Sequence, residues 1–137
     1  MHLHPEEADR VRSEFDRLVN LTPAELAAWL ETAESRKVGM VRRGESESVG
    51  RQSARRILAI RATPEADLTE ADYAHMKKVI GYCRRHLAQR PRGEVADTRW
   101  RWSLMNWGHD PLKPVAPAPI RGTPSRQASR RTLPGRR

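Results

Sequence analysis

The chain has 137 residues, with 26 Lys+Arg against 17 Asp+Glu, a formal net charge of +9 and 37% hydrophobic residues. That length suits one domain better than two, and a single cysteine, Cys83, excludes an intrachain disulfide and a multi-cysteine zinc finger. No apolar run nears the ~20 residues that a membrane helix needs. Residues 1–7 also lack the charged and apolar regions of a secretion signal, so a cytoplasmic protein with no membrane partner is expected.

The charge is unevenly spread. Residues 111–137 hold Lys113, Arg121, Arg126, Arg130, Arg131, Arg136 and Arg137, no acid, and six of the ten prolines. The first 110 residues keep 19 bases and 17 acids, a net charge of +2. A Pro/Arg segment without acids buries too little surface to fold. The expected organisation is therefore a domain over 1–110 and a disordered basic tail over 111–137.

Helical periods recur five times, and strand signals are weak. Over residues 5–19, Val11, Phe15 and Leu18 form one apolar stripe, with Pro5 and the acids Glu6, Glu7 and Asp9 suited to a helix start. Thr22-Pro23-Ala24-Glu25 reads as a capping box, because Thr22 and Glu25 can satisfy each other's backbone donors. Leu26, Trp29, Leu30 and Ala33 are the expected buried face of that second helix. Residues 34–50 show no helical period, contain three glycines, and read as a long loop.

A third helix is expected over about 51–62, with Ala54, Ile57, Leu58 and Arg61 on one side and Thr63-Pro64 as its stop. The fourth begins after Thr69 and carries Tyr73, Met76, Val79, Ile80, Cys83 and Leu87 to about Gln89. The fifth, about 97–107, opens after Asp97 and buries Trp100, Leu104 and Trp107, with Gly108 in the left-handed position beyond its end. The predicted fold class is an all-α compact bundle of about five helices.

No reaction centre assembles from these residues. Cys83 and His86 stand three apart on a helix, but no second Cys/His pair completes a zinc site, and Cys83 reads as core. Phosphate loops, nucleophile elbows and His-Glu-x-x-His are all missing. The expectation is a protein that is no enzyme and uses no cofactor or metal.

The basic residues point instead to nucleic acid, duplex DNA first. Arg51, Arg55 and Arg56 lie on the third helix. The fourth carries Lys77, Lys78, Arg84 and Arg85, where an offset of seven aligns 77 with 84 and 78 with 85. The loop adds Arg36, Lys37, Arg42 and Arg43. With Arg121, Arg126, Arg130, Arg131, Arg136 and Arg137 of the tail, these are the expected phosphate contacts, acting through counterion release without reading sequence. The alternative is a helical protein-interaction module whose basic tail serves solubility or an acidic partner. The tryptophans around residue 100 are expected to pack in the core rather than form a stacking platform, and Trp102, off the stripe of Trp100, Leu104 and Trp107, is the one to test for stacking on a base.

Four stretches carry a family resemblance: VNLTPAELAAWL at 19–30, ESVGRQSARRI at 47–57, DYAHMKKVIGY at 72–82 and SLMNWGHD at 103–110. Together, over about residues 12–112, they resemble a family of short uncharacterised bacterial and fungal proteins, a domain of unknown function often described as DNA-binding. The resemblance implies a compact DNA-associated helical module and supplies no active site. Residues 21–60 are also similar, more loosely, to the helix–extended–helix modules of chromatin proteins, with a longer intervening loop.

Overall fold

A computed structural model describes residues 3–114. The basic tail from Arg121 onward, and the expectation that it is disordered, lie outside the described residues. Within them the chain is all helix and loop: α1 (Pro5–Leu18), α2 (Pro23–Leu30), α3 (Ala33–Lys37), α4 (Val49–Arg61), a 3₁₀ turn (Glu65–Asp67), α5 (Glu70–Leu87) and α6 (Arg99–Asn106).

Each helix starts where the local chemistry allows. Thr22 Oγ1 accepts the Glu25 amide at 3.1 Å while Glu25 accepts the Thr22 amide at 2.8 Å, which completes the expected capping box. Thr69 and Asp72 repeat the device on α5. At α6 the cap is Thr98, accepting from the Arg101 amide, one residue beyond the expected Asp97. Helix α4 starts at Val49 under a Ser48 cap, earlier than its apolar period indicates.

The expected 34–50 loop is the main correction. Its first part is helix α3, capped by Thr32, whose Oγ1 accepts the Ser35 amide at 3.1 Å. Five residues are too few to display a 3.6-residue period, so pattern reading had nothing to register. The break between α2 and α3 also turns Ala33 out to solvent, against its expected place on the buried face of α2.

Helix α1 packs along α5, and α4 lies against α2, α5 and α6. The core between them contains Phe15, Leu18, Leu26, Leu30, Ile57, Tyr73, Met76, Val79, Cys83, Leu104 and Trp107. Burying a large apolar side chain of this kind contributes roughly 1.5–3 kcal/mol. Gly108 closes α6 at φ +85°, and a Cβ there would stand 2.8 Å from Val19 Cγ1. Only glycine permits both that backbone angle and that approach.

Beyond Gly108 the chain straps back over the start of α2. His109 Nδ1 meets the Leu18 carbonyl at 2.7 Å, and Asn20 exchanges two hydrogen bonds with the Asp110 backbone. Lys113, counted by composition with the tail, donates to the Asn20 carbonyl and to Glu25. The strap therefore continues past residue 110.

Candidate functional site

A buried polar hub explains the fate of one expected contact. Arg51 is 6% exposed. Its Nη1 donates to the Leu30 carbonyl at 2.8 Å and to Ser35 Oγ at 2.7 Å, while Nε pairs with Glu47. Ser35 Oγ donates in turn to Asn106 Oδ1, which also receives Trp29 Nε1 at 2.8 Å. The hub joins α2, α3, α4 and α6. Arg51 was expected at the surface as a phosphate contact; with its donors turned inward, it is a structural residue and leaves the surface set.

The other basic residues divide by partner. Lys77 and Arg84 share one side of α5, as the offset of seven requires, and face α1, where they pair with Glu7 and Glu14, each at 2.8 Å. Arg55 holds Glu47 in a fork at 2.7–3.1 Å, and this contact above all keeps the Glu47 carboxyl below its ordinary range. Arg36 donates to the carbonyls of Glu31 and Thr32. Lys37, Arg43 and Arg85 are exposed, and no ion pair among the described residues engages them.

Arg42, Arg56 and Lys78 come together. They approach from the loop, from α4 and from α5, and line one open cleft of about 270 Å³ with Val49, Gln52, Ser53, His75 and Trp107. Ser53 Oγ and His75 Nε2 lie 2.9 Å apart in its wall. Burial holds the His75 pKa below the ordinary histidine value, and the nearby charges of Arg56 and Lys78 lower it further. The imidazole is therefore neutral at pH 7. Arg56 keeps one 3.0 Å bond to Asp72, and Arg42 stands 3.8 Å from Glu45. Neither acid lines the cleft. A wider hollow of about 430 Å³ beside Arg36 and Arg51 includes Glu47, already bonded to two arginines, and offers an anion less.

The cleft floor rests on stacked rings. His75 lies near parallel to Trp107, Tyr82 stacks on Trp107 with centroids 4.4 Å apart, and the series continues through His86 to Trp100. Burial lowers the His86 pKa as well. Trp107 can sit here because Gly50 on α4 has no Cβ; one would lie 3.1 Å from Trp107 Nε1. Trp100, Leu104 and Trp107 are buried, as their stripe requires, and Trp102 is half-buried.

Sequence reasoning did not select Gln52, Ser53, His75 or Trp107. A trace was present, since Ser53/Arg56 and His75/Lys78 are each three apart and share a helix face. Which face of α4 meets which face of α5 is tertiary information, and it alone brings the two pairs together. Cys83, by contrast, is fully buried, and burial pushes its thiol pKa up to about 12. Among the described residues no group of His, Cys, Asp and Glu is arranged to hold a metal ion, and no helix is long and apolar enough to cross a membrane.

Fold and site thus define a small all-α protein with a cationic cleft between two of its helices. A family profile described as protein of unknown function (DUF3140) matches residues 14–105, and the chain belongs to that family. Searches of curated proteins and of solved structures each found no match.

Proposed function

We propose that this protein binds nucleic acid, duplex DNA in the first place, through its phosphates and without catalysing a reaction. The observation that carries the reading is the convergence of Arg42, Arg56 and Lys78 on one cleft, from three separate parts of the chain. Three cations around one concavity raise the local potential for an anion far more than the same charges scattered over a surface. Exposed Lys37, Arg43 and Arg85, with Arg121, Arg126, Arg130, Arg131, Arg136 and Arg137 of the tail, supply further sequence-independent charge. The sequence resemblance implies the same kind of partner, and the reading places the protein in the cytoplasm in company with nucleic acid.

The second reading, a protein-interaction module, draws on Met40 and Val41, 70% and 49% exposed in the loop between α3 and α4. Fluorescence anisotropy with a short random-sequence duplex carrying 5′ phosphates separates the two. Replacing Arg42, Arg56 and Lys78 together by Ala weakens binding at fixed salt while helicity stays unchanged. Equal affinity for the variant removes the cleft from the account. No binding by the full chain leaves the interaction module.

A further inference from the structure

The cleft bounded by α4, α5 and the Arg42 loop has the donors for a single phosphoryl group. From Arg42, Arg56 and Lys78 lining one concavity beside the hydrogen-bonded Ser53 and His75, we infer that it holds a phosphate monoester, the terminal phosphate of a nucleotide chain, and not a run of internal diesters. This inference rests on the phosphate-binding reading above and adds the kind of phosphate.

The arrangement of charge carries the argument. Internal phosphates follow one another along a strand, so a protein tracking them needs its cations in a row. These three, from the loop, α4 and α5, line one cleft instead. A monoester offers three terminal oxygens and about −1.5 to −2 charges at pH 7, whereas an internal diester offers two free oxygens and one charge. Three cationic side chains match the former. Arg56 spends one hydrogen bond on Asp72 and keeps further N–H donors, and the exposed 3.8 Å contact of Arg42 with Glu45 is weak enough to be displaced.

Shape agrees with charge. The stacked Trp107 and His75 close the floor, so an anion enters from the open side. A terminal phosphate has chain on one side only and can seat end-on, whereas an internal one must lead chain away on both sides. At about 270 Å³ the cleft is smaller than the roughly 300 Å³ at which pockets for whole small molecules begin. It has room for the phosphoryl group and the adjoining sugar, while the rest of the ligand stays outside.

Ser53 and His75 complete the site. The Ser53 hydroxyl, 2.9 Å from His75 Nε2, is a neutral polar group in the wall, and the His75 ring can take up a proton as a dianion arrives. The charged groups facing that ring are Arg56 and Lys78, which oppose protonation, and Asp72, which favours it.

The test follows His75 ring resonances in the full chain, so that binding by the basic tail does not mask the cleft. Inorganic phosphate is expected to shift them saturably. The response disappears in Lys78→Ala and persists in Lys77→Ala, whose lysine faces α1 instead. An oligonucleotide with a 5′ phosphate then binds about tenfold more tightly than the same chain with a 5′ hydroxyl, the difference expected for losing charged hydrogen bonds. A response that does not saturate, or that survives Lys78→Ala, overturns the site, and so does equal affinity for the two oligonucleotides. If both oligonucleotides bind without moving His75, the nucleic-acid reading stands and the monoester site fails. If a free nucleoside monophosphate binds as tightly as the phosphorylated oligonucleotide, the site stands, its ligand is the free nucleotide, and the nucleic-acid reading fails.

Discussion

The guanidinium of Arg51 donates to Ser35 Oγ at 2.7 Å, and this bond ties α4 to a helix that no sequence period announces. An arginine in a basic run, which composition assigns to a ligand, is here the centre of a buried network joining four helices. Its neighbour Arg55 shares Glu47 with it and faces solvent. Two residues four apart, alike in chemistry, thus have opposite roles.

Arg51→Ala is therefore expected to cost about 2–4 kcal/mol, because it leaves the Leu30 carbonyl and Ser35 without their donor in a buried setting. Arg55→Ala, which removes an exposed ion pair, should change stability by about 0.5 kcal/mol. Urea unfolding followed by circular dichroism measures both, and similar values for the two variants would contradict the division.

Gly108→Ala should destabilise by about 2 kcal/mol. The substituted residue must hold φ +85° and press its Cβ against Val19. Gly44→Ala is the control, since its φ is +83° with nothing within 4 Å of the new Cβ. The two share the backbone strain, so the excess loss in Gly108→Ala reads the steric part alone. Equal losses would mean that the strap shifts freely.

Much of this was legible beforehand. The Thr22–Glu25 box, the Thr69 cap, the stripe of α5 and the left-handed Gly108 are local rules acting within a few residues, and they hold. Helix α3 was hidden because it is short, and Arg51 was misplaced because burial depends on what α2, α3 and α6 lay over α4. The cleft lies between these cases. Arg42, Arg56 and Lys78 were chosen for their charge, yet their meeting, and the presence of Ser53 and His75 among them, follows from helix packing that no residue spacing encodes.

Acid should weaken the fold in two stages. The pKa values of His75, His86 and His109 are lowered in the native state, chiefly by burial, so the unfolded chain binds more protons below the ordinary histidine value of about 6.5. Their contribution is complete above that value and is lost as pH falls through the native values. A second loss begins as pH falls below about 4.5, as Glu14, Glu47 and Asp110, whose pKa values are lowered, take up protons. Thermal melts from pH 7.5 to 3.5 should show a first decline before pH 5, reduced in His109→Gln. A flat profile down to pH 5 would contradict the histidine assignment.

Cys83 should resist modification in the folded protein. With no exposure and a thiol pKa of about 12, it has almost no thiolate at pH 8. Reaction with a disulfide reagent should follow the unfolding rate and become immediate in denaturant. Prompt reaction in native buffer would show that α5 opens far more readily than its packing implies.

The central claim, that the helical body holds phosphate at the Arg42–Arg56–Lys78 cleft, is tested most directly by a salt titration. Affinity for a 5′-phosphorylated random-sequence duplex is measured against salt for the full chain and for the variant with all three residues replaced by Ala. The account predicts weaker binding and a log–log slope shallower by about one, the counterion release of a single phosphate contact at roughly 0.9. Superimposable titrations for the two proteins would contradict it and leave the charge outside the cleft as the source of any binding.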